Sequence, residues 1–109
     1  MAFSIGTVSD AAIDAAIARG GELGPSMLLA GLLVGRARYV WSEGTGAWFY
    51  LYAGTWRKDD AHRLSWLVAS EYGPQFADRG ATGTLTRAWA EAVLALASCD
   101  PRMATGTRP

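Results

Sequence analysis

Residues 47–58 read Ala47-Trp48-Phe49-Tyr50-Leu51-Tyr52-Ala53-Gly54-Thr55-Trp56-Arg57-Lys58, and this run decides the fold. Five large side chains in succession, four of them aromatic, favour a strand, because rings pack well on a pleated surface. Gly54-Thr55 supplies a tight return into Trp56, Arg57 and Lys58. With a period of two, Trp48, Tyr50 and Tyr52 point to one face while Phe49 and Leu51 point to the other. Upstream, Arg36, Arg38 and Val40 alternate with Ala37, Tyr39 and Trp41, the pattern of a half-buried strand, and Glu43-Gly44-Thr45-Gly46 has turn composition. The expectation is a three-stranded antiparallel meander over about residues 36–58.

Helical patterns flank this ribbon. Ser9 can cap a helix over about residues 10–19, with Asp10 and Asp14 toward its positive end, Arg19 toward its negative end, and Gly20-Gly21 as a stop. Pro25 suits the first turn of a second helix, about residues 25–34. Met27, Leu28, Leu29, Leu32, Leu33 and Val34 leave that helix without a polar stripe, so residues 27–34 are either buried all round or form a contact between copies of the chain. After the meander, Asp59 or Asp60 caps a helix over about residues 60–72 that carries Leu64, Leu67, Val68 and Tyr72 on one face. Gly73-Pro74 interrupts it, leaving a kinked continuation or a separate turn. Thr82 or Thr84 opens a last helix, about residues 84–98, with the stripe Leu85, Trp89, Ala92, Val93 and Leu96. Asp100-Pro101 resists further α geometry. The reading is therefore α+β: mainly helical, about four helices, with the meander inserted after the second, one domain over residues 1–99 and a loose tail over 100–109.

The bulk numbers bound the function. The 109 residues suffice for one domain with its own core, and half of them are apolar. Formal net charge is zero, which argues against a protein that coats nucleic acid by charge alone, though not against a local basic face. Cys99 is the single cysteine and His62 the single histidine, so an internal disulfide is impossible and a transition-metal site within one chain is not expected. No basic region precedes an apolar run at the N-terminus, and the longest apolar stretch is far short of the roughly 20 residues a membrane span needs. An intracellular, cytoplasmic protein with no membrane partner is the expectation.

Enzyme motifs are missing. No glycine-rich run ends in Lys-Ser or Lys-Thr, and Gly20-Gly21 and Gly44-Thr45-Gly46 have turn spacing. Asp59-Asp60 precedes a helix, where capping explains it better than Mg²⁺. His62 has no evident nucleophile or orienting partner, and Cys99 at a helix C-terminus reads as a small buried hydrophobe. No catalytic residue, metal or cofactor is expected. What stands out is aromatic residues gathered between cations: Trp41 and Trp56 with Arg36, Arg38, Arg57, Lys58 and Arg63. These rings are either core and hairpin pairs or a surface on which bases stack while the cations meet phosphates.

At this segment the chain resembles a family. Arg38-Tyr39-Val40, a strand with Trp48 and Tyr52, then Gly54-Thr55-Trp56-Arg57-Lys58-Asp59-Asp60 are similar to the domain that precedes the superfamily 3 helicase in phage, plasmid and poxvirus primase-helicases. Downstream helices and the run Asp100-Pro101-Arg102-Met103-Ala104 fit the same order, so the likeness covers roughly residues 30–104. Neither a primase nor an ATPase module accompanies it, and the Met-Ala start reads as that of a small phage or prophage gene. The resemblance implies a free-standing, non-enzymatic copy of the linking domain that binds nucleic acid or a replication partner. The alternative is a small phage-encoded inhibitor of a host defence complex of the CRISPR type, with a protein partner met through aromatic and Arg anchors.

Overall fold

The computed structural model describes residues 3–42 and 45–106. In chain order these form α1 (Asp10–Ala18), α2 (Leu23–Leu33), β1 (Ala37–Ser42), β2 (Thr45–Tyr52), β3 (Thr55–Lys58), α3 (Arg63–Leu67), a π-helical turn (Val68–Tyr72), α4 (Gly73–Ala77), α5 (Arg87–Ala97) and β4 (Ala104–Thr105). The class is α+β, as expected. The sheet has four strands in the order β3-β2-β1-β4, not three. β1, β2 and β3 form the antiparallel meander, and β4 adds a short parallel edge that pairs Tyr39 with Ala104 and Val40 with Thr105. Glu43 and Gly44 of the expected first turn lie outside the described residues. The second turn sits one residue earlier than expected: Ala53 (φ 51°) and Gly54 (φ 78°) both have positive φ, which two-residue hairpin turns of the primed class require, and Thr55 already belongs to β3.

β4 overturns the loose tail for its described residues, 100–106. Met103 is fully buried, its carbonyl accepts the Tyr39 N–H, and Ala104 joins the sheet. Asp100 holds this return in place by accepting from the backbone and the side chain of Arg102, whose Nη2 also donates to the Met27 carbonyl at 3.0 Å. The Asp-x-Arg-hydrophobic-Ala run is thus a clasp closing the last helix onto α2 and β1. Composition could not show this, because the anchoring is one methionine and one ion pair. Residues 107–109 are outside the described residues.

Ser9 caps α1 by accepting the Ala12 N–H, as expected. α2 starts two residues before its expected beginning, with Pro25 still in its first turn. It is not buried all round: Leu29, Ala30 and Leu33 are in the core, whereas Leu23, Met27 and Val34 are exposed. The third helix begins at Arg63, not 60, because Asp59 reaches past the turn to accept the Arg63 and Leu64 N–H groups at 2.7 and 3.0 Å. Leu64, Leu67, Val68 and Tyr72 are all buried, as the stripe predicted. Gly73-Pro74 gives a kinked continuation. The π turn before it lets the Gly73 N–H reach the Val68 carbonyl and widens the helix where the Pro74 ring would strike an α-helical turn. Gly73 has a second role, since a Cβ there would meet the Thr84 carbonyl oxygen at 2.1 Å.

The last helix starts at Arg87, capped by Thr86, whose hydroxyl accepts the Trp89 N–H. Neither Thr82 nor Thr84 is the cap; the Thr84 hydroxyl is buried and donates to the Gly73 carbonyl. Trp89, Ala90, Val93, Leu94 and Ala97 face inward, while Leu85, which precedes the helix, and Leu96 of the expected stripe are exposed. Cys99, expected to be buried, is exposed and lies past the end of the helix.

The core is one cluster to which the helices, Ala37 and Tyr50 of the sheet, and Phe3, Ile5 and Val8 of the N-terminal segment all contribute. That segment is held by side chains: Glu71 accepts the Ile5 N–H at 3.0 Å and Gln75 accepts the Val8 N–H at 2.8 Å. Tyr72 is fully buried and donates to the Pro25 carbonyl at 2.6 Å, and burial pushes its phenol far above the ordinary tyrosine range.

Candidate nucleic-acid interface

Strand register sorts the aromatic block into two faces. Ala37, Tyr39 and Trp41 lie with Trp48, Tyr50, Tyr52 and Arg57 on the inner face, toward the helices, since Ala37 and Tyr50 belong to the core and Trp48 and Tyr52 pack against it. Arg38 and Val40 lie with Phe49, Leu51, Trp56 and Lys58 on the outer face. Val40 and Phe49 are buried yet fall outside the helix-facing cluster.

Three of the seven expected site residues meet on the outer face. Arg38, Phe49 and Lys58 occupy one row across β1, β2 and β3, and Leu51 pairs with Trp56 in the next. The Arg38 guanidinium carbon stands 5.2 Å from the Trp56 ring centroid, a cation–π contact that leaves Arg38 exposed and Trp56 half-buried. Lys58 is 3.7 Å from the exposed Asp60 carboxylate, a loose pair that a stronger anion can displace. Two strand spacings separate Arg38 from Lys58, roughly 10 Å.

The other four residues do not join them. Arg36 is tied down, donating through Nη1 to the Leu32 carbonyl at 3.4 Å and through Nη2 to the Ser4 carbonyl, with its guanidinium 5.0 Å from the Phe3 ring. It buttresses the N-terminal segment. Arg57 lies over Tyr52 at 5.0 Å and Arg63 over Tyr50 at 5.9 Å, both on the inner side. Trp41 is 59% exposed, but it belongs to the inner face at the far end of β1, near Gly106. Both sequence readings of the rings therefore apply, to different rings: Trp48 and Tyr50 are packing residues, and Trp56 is a surface one. Phe49, which is buried, and Leu51, which is half-buried, fill the outer face between these residues and were not singled out. Their signal was available in the shared parity of Arg38, Phe49 and Lys58 once the hairpin register is fixed.

His62 is exposed in a left-handed conformation (φ 54°) just before α3, where it lines a shallow, mainly apolar hollow with Ser65, Trp66, Ala69, Arg87 and Glu91. Among the described residues no group of three or more His, Cys, Asp or Glu could hold a metal ion. Among the described residues no helix is long and apolar enough to cross a membrane. No protein-family model matches the chain, and no match is found among curated proteins or solved structures.

Proposed function

We propose that this chain is a non-enzymatic domain of a phage or mobile element, of the kind that links primase to helicase, and that the outer face of its sheet binds single-stranded nucleic acid inside the host cell. The observation that carries this reading is the Arg38–Trp56 stack with Lys58 in the adjoining row, on the sheet face opposite the helices. A base can extend such a stack, since any base offers a π-face, and the flanking cations can then meet phosphates. Zero net charge suits a local patch better than a coat. The aromatic run and the Asp100–Ala104 clasp are the segments that resemble the linking domain.

Fluorescence anisotropy with labelled single-stranded oligonucleotides tests it. Binding is expected at about 50 mM salt, and with two phosphates neutralised the log–log salt slope should be about −1.4. No binding at that salt removes the nucleic-acid reading.

A second reading has its own observation. Leu23, Met27 and Val34 are exposed along α2, beside the half-buried Leu28 and Leu32, and Trp66 is 69% exposed on α3. These surfaces suit a protein partner, either a host defence complex that the chain inhibits or a second copy meeting residues 27–34. Co-purification with a host effector supports the first, and a strict monomer by light scattering at high concentration ends the second.

A further inference from the structure

A cleft of about 330 Å³ opens between the α1–α2 turn and the loop that leads into α5, lined by residues that the sheet face does not use. That volume lies in the range of small-ligand sites, roughly 300–1,000 Å³. Ile17, Phe76 and Trp89 supply apolar wall, Thr82 and Thr84 supply hydroxyl groups, and Glu22 is the one charged residue in the lining.

Among the described acids, Glu22 and the exposed Asp78 alone have no side-chain partner, and of the two only Glu22 lines the cleft. Five carboxylates hold ion pairs with Lys58, Arg79, Arg87 or Arg102, and those of Asp59 and Glu71 accept backbone N–H groups. Glu22 is half-buried, makes no capping bond to α2, and has no ion pair among the described residues. A carboxylate only accepts, so a partner for it must donate. The Thr84 hydroxyl is buried and spends its proton on the Gly73 carbonyl at 2.9 Å, so it does not donate to Glu22.

We propose that this cleft binds an organic ammonium ion: a primary amine on a short aliphatic chain, its ammonium at Glu22 and its methylenes against Ile17, Phe76 and Trp89. An ammonium brings three donors and no acceptor, which matches a lining with one carboxylate and no cation. The site stands apart from the sheet surface and does not depend on the nucleic-acid reading.

The test is an NMR titration of the whole chain with n-butylammonium, 1-butanol and butyrate. Butylammonium should give saturable shifts at the amides of Gly21, Glu22, Ala81 and Thr82. The two uncharged or anionic analogues should bind at least about tenfold more weakly, about 1.4 kcal/mol. Glu22→Gln should lose the amine to the same extent, and Glu22→Asp, which keeps the charge, should retain it; the pair separates lost recognition from lost folding. Tighter binding of Nα-acetyl-lysine methylamide than of butylammonium assigns the site to a partner's lysine side chain, and the reverse to a free amine. Equal binding of 1-butanol, unchanged binding by folded Glu22→Gln, or no shifts in the cleft at high millimolar amine would overturn the proposal.

Discussion

On the inner face of the sheet, Tyr50 is buried against Phe3, with ring centroids 5.3 Å apart, and Trp48 packs edge-on to Tyr39 at 5.4 Å. On the outer face, Trp56 is half-buried with a guanidinium over its ring, and the residue across from Phe49 on either side is a cation. Both faces are rich in rings, yet the helices cover one, whereas the other keeps a half-buried indole under an exposed guanidinium beside a lysine held only by a loose pair with Asp60. Aromatic density alone therefore does not mark a binding surface. The distinction comes from which parity the cations share.

If that contrast is right, substitutions on the inner face cost stability and those on the outer face cost binding. Tyr50→Ala should have the largest effect, about 3–5 kcal/mol in chemical denaturation, because a large ring leaves a closed core. Met103→Ala should follow at about 2–5 kcal/mol. A much smaller loss would mean that the β4 return adds little and that the sheet is in effect three-stranded. Trp56→Ala should leave the unfolding midpoint nearly unchanged while weakening single-stranded oligonucleotide binding by about 1–3 kcal/mol. Arg38→Ala should weaken binding uniformly across sequences and reduce the salt slope by about 0.7.

The smallest effect should come from a pair away from both faces. Arg79 donates to both Asp14 carboxylate oxygens, at 3.0 and 2.6 Å, and this hydrogen bonding holds the Asp14 carboxyl below its ordinary value of 3.8. With the folded value below the unfolded one, the unfolded chain binds the proton more readily. The pair therefore stabilises the fold above the ordinary carboxylate value, and its contribution disappears as pH falls through the folded value. Urea midpoints of the native chain and Asp14→Asn should differ slightly at pH 7 and converge in acid, with oligonucleotide binding at pH 7 unaffected.

The meander was legible because period-two alternation and turn glycine agreed over residues 47–58, and Ser9 and the Leu64–Tyr72 stripe were legible because each rests on neighbours in sequence. What sequence did not disclose depends on distant partners. The N-terminal segment is held by Glu71 and Gln75, more than sixty residues away, and β4 has only two residues. The last helix was misphased because three threonines precede it, and only the approach of Thr84 to Gly73 decides which one caps. Of the expected site, Arg38, Trp56 and Lys58 come together, whereas Arg36, of the same parity, precedes the strand and is drawn to Ser4 and Leu32. Arg57 and Arg63 have the opposite orientation.

The most direct test of the outer-face surface is NMR mapping of the amide and indole signals during titration with a single-stranded oligonucleotide. Shifts concentrated at Arg38, Leu51, Trp56 and Lys58, with the Trp48 and Trp89 indoles unmoved, are the predicted result. Shifts confined to α2 or to Trp66, or none at low salt, would contradict it.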